Sequence, residues 1–156
     1  MDEIPALSDS RAASIAHRVV VHKRAGSLEE AASLRGVDPA AVIKTMVIRR
    51  GEGEYVFVLV GGDRVIDWAK LRDLLGERRL SMPEADEAFG VTGYPRGTIT
   101  PFAAKTALPV VADTRVASGQ VSIGGGAPGA SLTVDGAELA VLLEATVADV
   151  TKERSG

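Results

Sequence analysis

The chain has 156 residues, 46% of them hydrophobic and 25% charged, with a formal net charge of −3. That length suits one domain with a real core, and the acidic balance argues against a protein that wraps nucleic acid, whose affinity comes from neutralising phosphates. Cysteine is absent and histidine occurs only as His17 and His22, which excludes disulfides and thiolate chemistry and leaves too little for a histidine zinc site unless carboxylates complete it. Aromatics make up 4%, so the core has to be built from Val, Leu, Ile and Ala. No apolar run approaches a membrane span, and the first residues lack the basic-then-apolar order of a secretion signal, so a cytoplasmic location is expected.

In chain order, residues 1–9 read as a loose leader. Ser8 or Ser10 caps a helix from Arg11 through His17, and Val19–Val21 form a short strand ending at His22. Ser27 with Glu30 fits the capping box of a helix that runs to Arg35 and stops at Gly36. Asp38–Pro39 opens a helical turn leading to Val42–Ile48, a β-branched strand with one ammonium, Lys44, set among its apolar residues. The turn-like residues 49–54 lead into Tyr55–Val60, apolar at every position and suited to a strand covered on both faces. Lys44 falls at the far end of this hairpin, pointing either to solvent or to something negative, because a buried unpaired ammonium is too costly.

Asp67 to Gly76 has a capping Asp, helically spaced apolar residues and a terminal Gly. A short strand at Arg79–Ser81, a helix from Pro83 to Phe89 and an ordered loop from Gly90 to Pro101 follow. Three further strands are expected at Leu108–Ala112, Gln120–Ile123 and Ser131–Val134, then a helix capped by Asp135 and running through Leu143; the tail from Thr151 reads as frayed. Helices and strands interleave without regular βαβ spacing. The expected fold is therefore α/β of the α+β kind: a single domain over 1–156 with a mixed, barrel-like sheet flanked by helices.

Gly124, Gly126 and Gly129 satisfy G-x-G-x-x-G directly after a strand. A dinucleotide site requires that motif to open a helix whose amides hold the pyrophosphate. Here Pro128 and another strand follow, so NAD binding is rejected. What remains is a tight turn between strands, or a glycine turn that lets a ligand approach the backbone. Asp113 and Asp135 stand at element ends, where turn-forming or capping is their ordinary work. His22 reads as a surface or packing residue more readily than as a general base. In Gly93–Phe102, two prolines and two glycines shape the backbone, and bare amides at Gly97 and Thr98 could support an ester carbonyl or a ribose hydroxyl; a structural Ω-loop is the alternative.

Taken together, Leu28–Ala32 with Gly36–Val37, the strand Ile43–Val47, the loop Gly97–Pro101 preceded by Gly93–Tyr94, and Gly124–Gly129 followed by a strand and helix resemble the YbaK/prolyl-tRNA-synthetase-associated family. These are editing domains that deacylate mischarged tRNA. The resemblance covers about residues 10 to 146, and its specificity lies in four weak pieces occurring in order. It implies hydrolysis of the ester joining an amino acid to the terminal adenosine of tRNA, in a pocket between Lys44 and the Gly97–Pro101 loop. Lys44 would carry the essential lysine, with the Gly97 and Thr98 amides orienting the ester. His22, Thr45, Tyr94, Pro101, Gly124, Gly125 and Gly126 would bind substrate. Gly124 departs from the family pattern, standing where several relatives have Ser, and Ala127–Pro128 replaces more polar residues.

The implied partners are the aminoacylated 3′ end of tRNA and a prolyl-tRNA synthetase, with Cys- or Ala-tRNA(Pro), or tRNA carrying another small amino acid, as the expected substrate and neither metal nor cofactor. An aminoacyl ester is already activated. A rate factor of about ten thousand needs only roughly 5.5 kcal/mol, within reach of positioning and backbone amides without a triad. The alternative is a non-catalytic module of the same fold that captures tRNA 3′ ends or docks on a synthetase.

Overall fold

A computed structural model of the chain describes residues 4–154. The helices form where their caps are encoded. The hydroxyl of Ser27 accepts from the Glu30 amide to start α2 (Leu28–Arg35), and Gly36 ends it with a left-handed φ of 74°. Asp67 accepts from the Lys70 amide to start α3 (Trp68–Leu75), and Asp135 does the same with Glu138 for α5 (Gly136–Leu142). A 3-10 turn over Pro39–Ala41 begins on its proline, as expected. α4 spans Ala85–Thr92, so the ordered loop begins at Gly93 rather than Gly90.

The N-terminal helix is shorter than expected. α1 covers Ser10–Ser14 and is capped by Asp9, while His17 begins β1 (His17–Val21). Asp9 outcompetes the neighbouring serines because its carboxylate also pairs with the Arg11 guanidinium at 2.8 Å and accepts from the Ala103 amide at 2.8 Å. That second bond ties the leader to a segment some ninety residues away. Residues 4–9 are accordingly not loose: Pro5–Ser8 form a 3-10 turn, and Ala6 is fully buried with its amide on the Gly125 carbonyl. Residues 1–3 lie outside the described residues.

The Arg11 guanidinium holds the Asp9 carboxyl at about 2, below its ordinary 3.8. A depressed carboxyl stabilises the folded state above its ordinary value and loses that contribution as pH falls through the folded one. Discounted for solvent screening, this is worth on the order of 1 kcal/mol. Asp9→Asn should flatten the stability profile between pH 4 and 2, read by urea midpoints across that range.

The strands divide into a three-stranded sheet in the order β1-β7-β6, a four-stranded sheet β2-β3-β5-β8 and a two-stranded ribbon β4-β9. Here β2 is Ile43–Gly51, β3 Glu54–Gly61, β4 Arg64–Ile66, β5 Val110–Asp113, β6 Gln120–Gly124, β7 Ala130–Asp135, β8 Thr146–Ala148 and β9 Thr151–Glu153. The β2–β3 hairpin is antiparallel and β3–β5 and β5–β8 are parallel, so the four-stranded sheet is mixed. The sheets curl around a core but do not close into a barrel. A parallel bridge from Val42 to Ser122 links the two larger ones.

Alternation along the strands sends side chains to two faces. The inner face carries the larger core, including Ile43, Val47, Phe57, Leu59, Ile123 and Leu132. On the outer face, Ile48, Val56, Val58 and Val60 pack under α3 and the β4–β9 ribbon with Ile66, Leu71 and Val150. Both faces of β3 are covered, as its unbroken apolar run requires.

The C-terminal tail is not frayed through the described residues. β9 pairs with β4 and Thr151 is fully buried; Ser155 and Gly156 lie outside the described residues. Ribbon strands of three residues carry too little pattern to be read locally. Arg79–Ser81 contributes only a bridge from Ser81 to Arg49. Asp113 fastens the tail from within the core: fully buried, it accepts from the Val150 amide at 3.0 Å and from Arg115 at 3.3 Å. Asp113→Ala leaves the buried Val150 amide without that acceptor and should cost about 2 kcal/mol in a denaturant titration.

Candidate active site

Lys44 projects from β2 on the outer face, opposite Val60 in register. Its ammonium donates to the Arg64 carbonyl at 2.7 Å. Burial pushes its pKa below the ordinary lysine value; the nearby Arg154 adds to that depression and Asp63 opposes it. With one of three donors engaged, the other two are free for a ligand. The group lines a cleft of about 340 Å³ with Met46, Val60, Val65, Ile66, Trp68, Met82 and Lys152. That volume falls at the lower end of ligand-sized pockets.

The wall facing Lys44 therefore comes from the ribbon and α3, and none of these lining residues belongs to Gly97–Pro101. The expected loop is therefore not part of this cleft. The ammonium is drawn to the Arg64 carbonyl because the Gly61–Arg64 turn folds β4 back beside the end of β3, where Lys44 emerges.

The loop approaches the glycine turn. The Ile99 carbonyl comes within 3.9 Å of where a side chain on Gly124 would begin. Residues paired across strands share a face, so the Val42–Ser122 bridge and the Gly124–Ser131 pairing put Ser122, Gly124 and Ser131 on the same outer face as Lys44. Gly97 is exposed, with φ +90° and open space around it. The Thr98 amide is not bare: it donates to the Pro95 carbonyl at 3.1 Å, closing a β-turn that Gly97's positive φ permits. Of the two expected amide donors, Gly97 alone remains available.

The glycine turn joins β6 to β7 and is filled by the chain itself. A side chain on Gly125 would meet Ile4 at 2.9 Å, and one on Gly126 would meet the Tyr94 ring at 2.8 Å and Pro5 at 3.0 Å. Tyr94 is buried, its hydroxyl donating to the Phe102 carbonyl; Pro101 is buried with its carbonyl toward Arg11. Contrary to expectation, Tyr94, Pro101, Gly125 and Gly126 thus shape the loop and its support rather than an open cavity. Thr45 alternates to the inner side, its buried hydroxyl without a partner among the described residues.

His22 follows β1, its amide on the Gly129 carbonyl and its Nδ1 against the Lys23 carbonyl, while buried Nε2 has no partner among the described residues. Ser131 and Thr133 likewise hold buried hydroxyls without partners, and Arg35 at the end of α2 reaches the Ser122 hydroxyl at 3.4 Å. This hydroxyl row was missed in the sequence, where Ser-Leu-Thr-Val read only as a strand. Its period of two was the available signal, since it puts both hydroxyls opposite the core. Among the described residues there is no cluster of three or more His, Asp or Glu that could hold a metal, and no helix is long and apolar enough to cross a membrane.

The profile of the aminoacyl-tRNA editing domain family matches residues 22–142. The chain belongs to that family. Editing by hydrolysis of an aminoacyl ester is the activity that membership carries, and the mixed α/β architecture agrees with it. A solved structure of a protein proposed to be a trans-editing enzyme for prolyl-tRNA synthetase superposes with a TM-score of 0.84 at 27% identity, covering 97% of this chain and 99% of that one. The proline–tRNA ligase of Trichlorobacter lovleyi is 36% identical over 90 residues, and that of Heliobacterium modesticaldum 36% over 107, or 58% and 68% of this chain. The aligned stretches span only 16% and 18% of those ligases. The editing-domain match runs from His22 through the end of α5 and so takes in Lys44, the loop and the glycine turn, but not β9.

Proposed function

We propose that this editing domain acts in trans on tRNA(Pro) carrying a small amino acid, Cys or Ala, and removes it by hydrolysis of the ester at the 3′ end. The single observation behind this reading is the near-complete superposition on the proposed prolyl trans-editing enzyme, together with the family match over residues 22–142. Lys44 has a defined task in it. Anchored on the Arg64 carbonyl, its ammonium stays at a fixed point of the cleft and offers two N–H groups to the ester carbonyl as negative charge develops there. The attacking group is a positioned water or the substrate's own hydroxyl or thiol. The reaction takes place in the cytoplasm, and a prolyl-tRNA synthetase is the expected partner.

The test is a deacylation panel of small amino acids on tRNA(Pro), with Cys- and Ala-tRNA(Pro) expected to turn over fastest. Turnover confined to large side chains would overturn the assignment. The Thr98 amide, already engaged with Pro95, favours one rival: a domain that only holds aminoacyl ends. Saturable binding of a non-hydrolysable aminoacyl-adenosine without turnover of any charged tRNA would establish that instead.

A further inference from the structure

The Lys44 cleft contains more than the ester chemistry requires. Its far wall carries Trp68, the sole tryptophan of the chain, at the start of α3. Val65 and Lys152, paired across the ribbon, line the same wall, and Met82, 49% exposed, faces solvent at the cleft. An aromatic surface beside apolar side chains, with ammonium groups at its border, is the composition that holds an unpaired nucleobase and its phosphate. Charge points the same way. In a chain of net charge −3, Lys44 and Lys152 line this one cleft, and Arg154 is near enough to disfavour the Lys44 ammonium. The Asp63 charge favours the Lys44 ammonium, whereas Asp149 is engaged by Lys70 and Arg115.

We propose that the terminal base of a single-stranded RNA 3′ end stacks on Trp68 in this cleft, while Lys152 meets the phosphate on its 5′ side. The inference rests on the deacylase reading for the identity of the RNA, and adds where the nucleotide is held and by which residues. Lys152 lies outside the stretch matched to the family, so this contact comes from the ribbon that the C-terminal strand completes. One base and one phosphate make a small footprint, which an acidic protein can hold without a basic surface elsewhere.

Because the chain has one tryptophan, its intrinsic fluorescence reports the event directly. Titration with the unacylated trinucleotide CCA should quench it saturably, and the same trinucleotide with an abasic 3′ residue should not. By anisotropy of a labelled CCA, Trp68→Leu, which keeps an apolar side chain over the core, should weaken binding about tenfold. Lys152→Ala, at an exposed position, should flatten the slope of log affinity against log salt by about 0.7. Both variants should raise KM for charged tRNA with little change in kcat. Equal quenching by the abasic control, or unchanged affinity in Trp68→Leu with an unaltered melting temperature, would overturn the proposal even if deacylation stands. Base-dependent quenching without turnover of any charged tRNA would instead retain the stacking site and remove the deacylase reading.

Discussion

Lys44→Ala should lower kcat/KM for deacylation of Cys- or Ala-tRNA(Pro) by about 10²–10³, the loss seen when one well-placed donor to a developing oxyanion is removed. The magnitude follows from position. The ammonium is partly buried, fixed at 2.7 Å from the Arg64 carbonyl and surrounded by apolar side chains, so its remaining donors act where water screens little. Equal rates for wild type and Lys44→Ala would remove the residue from the mechanism. The companion variant Lys44→Met separates chemistry from folding. Burial depresses the Lys44 pKa, so the charged form is a cost to the folded state, and Met should leave the melting temperature unchanged or raise it while activity is still lost. The sign also sets two pH dependences. Wild-type stability should rise as pH climbs through the depressed value toward the ordinary lysine range, and Lys44→Met should lack that rise. Enzyme-dependent deacylation should decline over the same alkaline window as the ammonium loses its proton.

Gly129→Ala should destabilise the protein by about 3 kcal/mol, combining left-handed backbone strain with a forced backbone shift. Gly129 has φ +72°, and a Cβ there would begin 2.2 Å from the His22 carbonyl oxygen. That oxygen is main chain and cannot rotate away. The substitution also strains the bond from the His22 amide to the Gly129 carbonyl, at 2.8 Å, which continues the β1–β7 pairing past Val21–Ala130. A urea midpoint unchanged from wild type would show that the turn relaxes more easily than its contacts indicate. Within the glycine pattern that mimics a dinucleotide motif, Gly129 thus serves sterically by letting two strands meet, as Gly126 does by admitting Tyr94 and Pro5.

Much of this fold was readable locally because the deciding interactions span only a few residues. Ser27, Asp67 and Asp135 each bond an amide three positions on, and Gly36 and Gly76 supply the left-handed residue that ends a helix. The β2–β3 hairpin follows from two apolar runs and the turn between them. The same locality hid other features. Asp9 won the first cap through its contacts with Arg11 and Ala103, and the strands of the β4–β9 ribbon exist only because two distant three-residue segments meet. At the site, residue types were legible but their neighbours were not. Tyr94 and the glycines at 125 and 126 have the composition of a ligand cradle, but Ile4 and Pro5 of the leader pack at that turn. Trp68, seen as a helix residue, joined the cleft only once α3 was placed.

The sequence by itself determined the mixed α/β elements, since capping, alternation and turn chemistry act between near neighbours, and the lysine strand, proline-bounded loop and glycine turn in order carried the resemblance to an editing domain. Only the tertiary structure decided what stands opposite Lys44. That choice depends on which distant strand closes the outer face, and the backbone bonds joining β4 to β9, with the Arg64 carbonyl beside them, gave it to the C-terminal ribbon.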